Sequence, residues 1–175
     1  MQPDFSFTPL TTADLTLLHE WMSRPHWAEW WGEPGPLHAI QAEYGALIAD
    51  TTKVQPYIAW VGGRRLGYIQ SYVAMGSGGG WWEEETDPGV RGIDQSIAHP
   101  ADLGRGLGTG MVKAFVKMLF SDAQVTRIQT DPDPRNARAI RCYQKAGFQP
   151  IREVTTPDGP ALLMTCERPG PLLLS

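Results

Sequence analysis

Apolar and polar residues alternate over Phe5–Pro9 (FSFTP), which predicts a first strand. The pattern then changes period. From Thr11 to Trp21 it is helical, with Thr11 at the N-cap and Asp14 three residues on, the capping-box arrangement. Trp27–Gly32 (WAEWWG) reads as a Trp-rich loop and Leu37–Ala49 as a second helix. Two apolar runs within Pro56–Ala74, PYIAWV and LGYIQSYVA, flank Gly62-Gly63 and predict a hairpin. Gly76–Gly80 (GSGGG) is a flexible link. Beyond it the pattern predicts a strand at Val90–Ala98, a helix at Gly106–Phe120, a strand at Val125–Asp131 and a helix at Asn136–Ala146. A last pair of strands flanks Pro157-Asp158-Gly159. The class is α+β, a mixed central sheet with helices on both faces.

At 175 residues the chain is expected to form one domain over residues 1–168, followed by a tail at 169–175 (PGPLLLS). A chain of that size buries roughly two-thirds of its unfolded surface. The formal charge of −4 argues against nucleic acid as a partner and favours small cations. Cys142 and Cys166 fit no metal spacing and no disulfide framework, so no metal is expected and a reducing cytoplasm is the simpler setting. No basic-then-apolar leader pattern is present, and no apolar run approaches the ~18 residues a membrane span needs. The sequence is compatible with a monomer or a homodimer.

The chemistry concentrates in the second half. Leu103–Gly110 (LGRGLGTG) is a glycine-rich turn opening a helix, where bare backbone amides at the positive helix end suit a pyrophosphate. Leu103, Gly104, Arg105, Gly106, Leu107, Gly108 and Thr109 are its candidate coenzyme residues, Arg105 adding a charge-assisted contact. An ordinary glycine turn is the bland alternative. Asn136, Ile140 and Tyr143 fall on one helical face in NARAIRCYQKAGF, which closes at the natural C-cap Gly147. Asp94 lies inside a half-apolar strand, sharing a face with Ser96 while Ile93 and Gln95 take the other. A carboxylate there can bind and deprotonate an ammonium, and a phenol such as Tyr143 can protonate a departing thiolate. A backbone-satisfied aspartate and a core tyrosine are the competing readings. No histidine lies in a neighbouring motif, so Cys142 reads as packing rather than as a nucleophile. Glu83, Asp131 and Asp158 offer carboxylates, and Trp30, Trp31 and Trp81 offer flat walls for sugar rings. Each ammonium–carboxylate contact at 4 Å is worth about 1 kcal/mol in water and about 4 at an effective dielectric of 20. Most of Glu83–Asp87 also fits a plain solvated acidic loop.

A phosphate cradle, a strand and a tyrosine-bearing helix, in that order, resemble the layout of the GNAT acetyltransferases. Within them the chain is similar to the aminoglycoside 6'-N-acetyltransferases of types I and II. The strings that carry the resemblance are EWWG at Glu29–Gly32, PYIA at Pro56–Ala59 and GYIQSYVAMGSG at Gly67–Gly78. They continue with GWWEEETDPGVRGIDQS at Gly80–Ser96, GLGT at Gly106–Thr109, IQTDP at Ile128–Pro132, RAIRCYQKAGF at Arg138–Phe148 and TTPDGPA at Thr155–Ala161. Together they span nearly the whole chain except the tail. The resemblance implies a sheet splayed at its centre, with acetyl-CoA in the cleft and the drug's 6'-amine facing the thioester. It implies Asp94 as base or amine-binding acid, Asp131 as a drug-binding carboxylate, Tyr143 as the thiolate-side acid and Asn136 as a coenzyme contact. Trp30 and Trp31 then wall the drug site. Relatives that attack fluoroquinolones are changed at the positions of Trp81 and Asp158, so no quinolone activity is expected here.

Three positions depart from the pattern. Leu103 stands where GNAT loops usually begin with Gln or Arg, although this subgroup often shares the leucine. Gly79 stands where close relatives carry an aspartate, and Ser96 resembles members that favour gentamicin over amikacin. The rival enzyme is a GNAT acting on a polyamine, a protein N-terminus or a siderophore precursor, since EWW also resembles siderophore acyltransferases. The rival of another class is a non-catalytic aminoglycoside binder, against which the intact glycine loop and Tyr143 argue.

Overall fold

The computed structural model describes residues 3–170; of the expected tail, residues 171–175 lie outside the described residues. Its elements in chain order are β1 (Phe5–Pro9), α1 (Leu15–Met22), α2 (Pro25–Trp31), α3 (Leu37–Ala49), β2 (Val54–Val61), β3 (Arg64–Val73) and β4 (Val90–Ile97). Then follow α4 (Leu107–Phe120), β5 (Arg127–Thr130), α5 (Ala137–Lys145), β6 (Gln149–Thr156) and β7 (Gly159–Glu167). Short 3₁₀ turns at Thr12–Asp14 and Pro100–Asp102 precede α1 and the glycine loop. Among the described residues no helix is long and apolar enough to cross a membrane.

The strands form one seven-stranded sheet in the order β1-β2-β3-β4-β5-β7-β6. Every pairing is antiparallel except β4–β5. That parallel pair is brief: it runs from Val90↔Arg127 to Gly92↔Gln129 and stops. β4 continues to Ile97 in full register with β3, while β5, paired with β7 along its whole length, ends at Thr130. The sheet is therefore splayed from Ile93 onward, as expected of a GNAT fold, and the opening sits at its centre.

Both faces of the sheet are covered. On one, Leu18, Trp21, Trp27, Ile40 and Tyr44 of α1–α3 pack on Ile58 and Tyr68. On the other, Met111, Val112, Phe115, Val116 and Leu119 of α4, with Tyr143 of α5, pack on Ile69, Ile93, Ile97 and Ile128. Successive strand residues alternate faces, so Tyr68 and Ile69 belong to opposite cores.

Two expected elements change. Of the expected loop Trp27–Gly32, Trp27–Trp31 is helical, inside α2, and only the C-cap Gly32 lies outside it. Pro25 occupies its first turn, where a missing N–H costs nothing, and Trp27 is anchored in the core at 1% exposure. The strand expected at Val125–Asp131 shrinks to β5, because Val125 donates to the Asp122 carbonyl in a turn and Asp131 lies past the last paired residue. The Thr11–Asp14 capping box is present, the Asp14 carboxylate accepting from the Thr11 N–H at 3.0 Å and from its hydroxyl at 2.8 Å.

Candidate active site

A cleft of 1240 Å³ opens where β4 and β5 part. Asp94, in β4, faces the α1–α3 side of this gap, directly opposite its register partner Gln70 of β3. The Gln70 amide Nε2 donates to Asp94 Oδ2 at 2.9 Å, and the Tyr68 hydroxyl donates to Gln70 Oε1. Ser96 lies two residues along on the same face, paired in register with Tyr68. Asp131, just beyond β5, and Asp158, in the β6–β7 turn, line the same space. Burial pushes the Asp94 carboxyl above its ordinary value; Gln70 pulls it back and the Asp158 charge pushes it further up. Asp131 is pushed up to about 8, chiefly by burial and then by the charges of Asp94 and Asp158. Carboxylates crowded together resist ionisation, each raising the pKa of its neighbours.

Indoles wall this side. Trp30 and Trp31 of α2 and Trp81 and Trp82 of the glycine-linked loop line the cleft. Trp31 is 39% exposed and leans on buried Trp27 at 5.7 Å between ring centroids.

On the α4 side stands Tyr143, 4% exposed yet reaching the cleft lining. Burial pushes its hydroxyl well above the ordinary phenol value, partly offset by hydrogen bonding to Thr130 and Gln95. Cys142 also reaches the cleft; its Sγ accepts from Thr109 Oγ1 at 3.7 Å and burial raises its thiol, which disfavours a thiolate nucleophile. At the mouth of this side the glycine loop runs into α4. Gly104 and Gly106 have φ of +71° and +78°, the left-handed region, and a Cβ at either would meet nothing within 4 Å. Backbone conformation, rather than packing, is what calls for glycine there. The first-turn amides of α4 have no helical acceptor and stay available to an anion.

Most of the expected site residues come together. Asp94, Ser96, Asp131, Asp158, Trp30, Trp31, Trp81, Tyr143, Leu103, Gly104, Gly106, Gly108, Thr109 and Asn136 all line the one cleft. Asn136 is the N-cap of α5 rather than part of its helical face: its Oδ1 accepts from the Ala139 N–H at 3.1 Å. Glu83, Arg105 and Leu107 are not in the lining. Glu83 is exposed, while Arg105 lies 3.9 Å from Asp102. Residues not singled out from sequence also line the cleft: Gln70 and Tyr72 of β3, Glu43 and Tyr44 of α3, and a basic edge of Arg138, Arg141 and Lys145 on α5. Arg138, Arg141 and Lys145 recur at helical spacing, the one signal by which sequence alone marks them. Among the described residues no group of three or more His, Cys, Asp or Glu side chains is placed to hold a metal ion.

The sequence profile of the acetyltransferase (GNAT) domain matches residues 11–156. The aminoglycoside N(6')-acetyltransferase type 1 of Klebsiella pneumoniae is 56% identical over 91% of this chain and 81% of its own length. The chain belongs to the GNAT family, among the aminoglycoside N(6')-acetyltransferases. Solved structures agree with the assignment. The crystal structure of aminoglycoside acetyltransferase AAC(6')-Ib in complex with coenzyme A superposes on this acetyltransferase with a TM-score of 0.90 at 54% identity, covering 94% of this chain and 95% of that one. Its complex with coenzyme A and kanamycin gives 0.89 at 54% identity over 94% of this chain and 95% of that one.

Proposed function

We propose that this acetyltransferase moves the acetyl group of acetyl-CoA to the 6'-amine of aminoglycoside antibiotics and thereby confers resistance to them. The observation that carries the reading is the splay beyond Gly92, which leaves Asp94 on one side of the gap, Tyr143 on the other and the glycine loop at its mouth. In this reading the α4 amides with Leu103, Gly104, Gly106, Gly108 and Thr109 hold the pyrophosphate, and the basic edge of α5 faces the same coenzyme. The polycationic drug settles among Asp94, Asp131 and Asp158 and against Trp30, Trp31 and Trp81. The 6'-ammonium gives a proton to Asp94, directly or through one water, and the freed amine attacks the thioester carbonyl. The C–S bond then breaks, the departing thiolate takes its proton from Tyr143, whose raised pKa keeps it protonated until that moment, and the new amide nitrogen sheds its second proton to water, which returns one to the phenolate. Ser96 favours gentamicin over amikacin, and the unchanged Trp81 and Asp158 leave no quinolone activity. Glu83 has no part in this reading, because it is exposed and outside the cleft lining.

The test is thiol release from acetyl-CoA with tobramycin, gentamicin, amikacin and paromomycin as acceptors. Paromomycin carries a hydroxyl where the others carry the 6'-nitrogen. Turnover with the amine drugs and little with paromomycin is the expected result; no turnover with any of them overturns the reading and returns the polyamines and siderophore precursors.

A further inference from the structure

Tyr72 and Gly92 are register partners in β3 and β4, two residues along from the Gln70–Asp94 pair on the same face. The Tyr72 ring lies across Gly92: a Cβ built there would fall 1.9 Å from Tyr72 Cζ and 2.3 Å from its hydroxyl oxygen. No residue but glycine leaves room for the ring in this position. Laid over Gly92, the phenol accepts a hydrogen bond from Trp82 Nε1 at 3.0 Å. Trp82 in turn is the one non-glycine among the described residues with positive φ, at +49°. A bulky residue in the left-handed region is strained and persists only where its surroundings fix it. Its neighbour Trp81 packs on it with ring centroids 6.0 Å apart at 47° and forms a backbone bridge with Gly78.

The loop that carries these indoles follows five positions, Gly76–Gly80, of which four are glycine. Such a segment has little conformational preference of its own. The ends of the loop are held by Ser77 Oγ, which donates to the Val73 and Ala74 carbonyls, and by the Arg127–Glu85 ion pair at 2.7 Å. The Tyr72 hydroxyl is the side-chain tie from the sheet to the indoles themselves. We infer that Tyr72, seated over Gly92, is a positioning residue that sets the Trp81–Trp82 wall against the amino-sugar acceptor, and so governs acceptor affinity without touching the coenzyme. This rests on the aminoglycoside reading above and names a determinant of acceptor recognition within it.

Tyr72→Phe tests it, because the ring and its packing are kept and the acceptor for Trp82 is lost. Loss of one net hydrogen bond predicts a rise of about five-fold in the KM for kanamycin or tobramycin, with the KM for acetyl-CoA unchanged. The circular-dichroism couplet of the Trp81–Trp82 pair weakens in the same variant without drug present. Gly92→Ala, which drives the ring off its seat, gives the same selective loss in a larger measure, and Tyr72→Phe covers the case where Gly92→Ala fails to fold. An unchanged couplet with unchanged KM values overturns the inference, and so does a parallel rise in both KM values or a fall in kcat alone. If the unaltered enzyme acetylates no aminoglycoside, the functional reading is what has failed, and the couplet in Tyr72→Phe then decides the inference by itself.

Discussion

Gln70 donates its side-chain amide to Asp94 across 2.9 Å, and the two residues face each other in register on adjacent antiparallel strands. The Tyr68 hydroxyl, bonded to the Gln70 carbonyl oxygen, fixes which end of the amide meets the carboxylate. Burial raises the Asp94 pKa and this donor lowers it, so the hydrogen bond works against burial in setting where the carboxyl ionises. Gln70→Leu removes the counterweight and raises the pKa further. The acid limb of the kcat/KM profile for kanamycin therefore moves to higher pH, with the plateau above it largely retained. A pH–rate profile whose acid limb stays in place would show that Asp94 is not the group titrating there.

Asp131 carries the opposite lesson for stability. Its ordinary value is 3.8 and the fold holds it at about 8. Between those limits the folded protein keeps a proton that the unfolded chain has released, so stability falls as pH rises through this window. Asp131→Asn cannot ionise and loses that slope. Thermal melts from pH 4 to pH 9 are expected to show the variant gaining on the parent steadily through the window, with the largest advantage above pH 8. A saturating aminoglycoside reverses the order, since its ammonium groups compensate the parent's carboxylates and find only an amide in the variant. Parallel melting curves across the range would mean that Asp131 is solvated and ionised throughout.

Much of this site is visible in the sequence because local chemistry marks it. Gly104 and Gly106 sit where the loop needs positive φ and so declare themselves without tertiary information, whereas Asn136, expected on the helical face, turns out to cap α5. Asp94 declares itself by being a carboxylate in an apolar strand. Gln70 and Tyr72 do not. Each alternates correctly on β3, but their importance comes from the residues opposite them on β4, and register across a strand pair is a tertiary property. The Trp-rich segment fails in another way: its indoles face both the core and the cleft, which hides the helical period of α2. Glu83 looked like a ligand from composition, yet the loop turns it to solvent while its neighbour Glu85 is taken by Arg127 at 2.7 Å.

Tyr143 is buried on the α4 side of the gap with its hydroxyl near Thr130 and Gln95. Tyr143→Phe preserves the packing against Phe148, which sits 5.4 Å away centroid to centroid, and removes only the proton donor. The expected cost is about 10²-fold or more in kcat, with both KM values near those of the parent. The loss shrinks with acyl donors whose thiol is more acidic, because such a leaving group needs less help from an acid. A kcat near the parental value with coenzyme A as leaving group would assign thiolate protonation to another group or to water.

Asp102 lies one residue before the glycine loop, and both its oxygens are engaged by Arg64 of the β2–β3 hairpin, at 2.8 and 2.9 Å. The Arg64 guanidinium holds the Asp102 carboxyl below its ordinary value of 3.8. A depressed pKa contributes stability above that value and loses it as pH falls through the folded one. Arg64→Met leaves a carboxylate at 6% exposure without its bidentate partner. Because Arg64 itself is half exposed, solvent screening limits the expected destabilisation to about 1–2 kcal/mol at pH 7. Denaturant melts should show that gap closing on acidification below pH 3.8, where the folded parent too begins to protonate Asp102. The same variant loosens the residue from which Leu103–Gly108 departs, so the KM for acetyl-CoA rises while the KM for the aminoglycoside holds. A stability loss with both KM values unchanged would confine Arg64 to holding the hairpin, and a rise in the aminoglycoside KM alone would contradict the placement of the coenzyme at this loop.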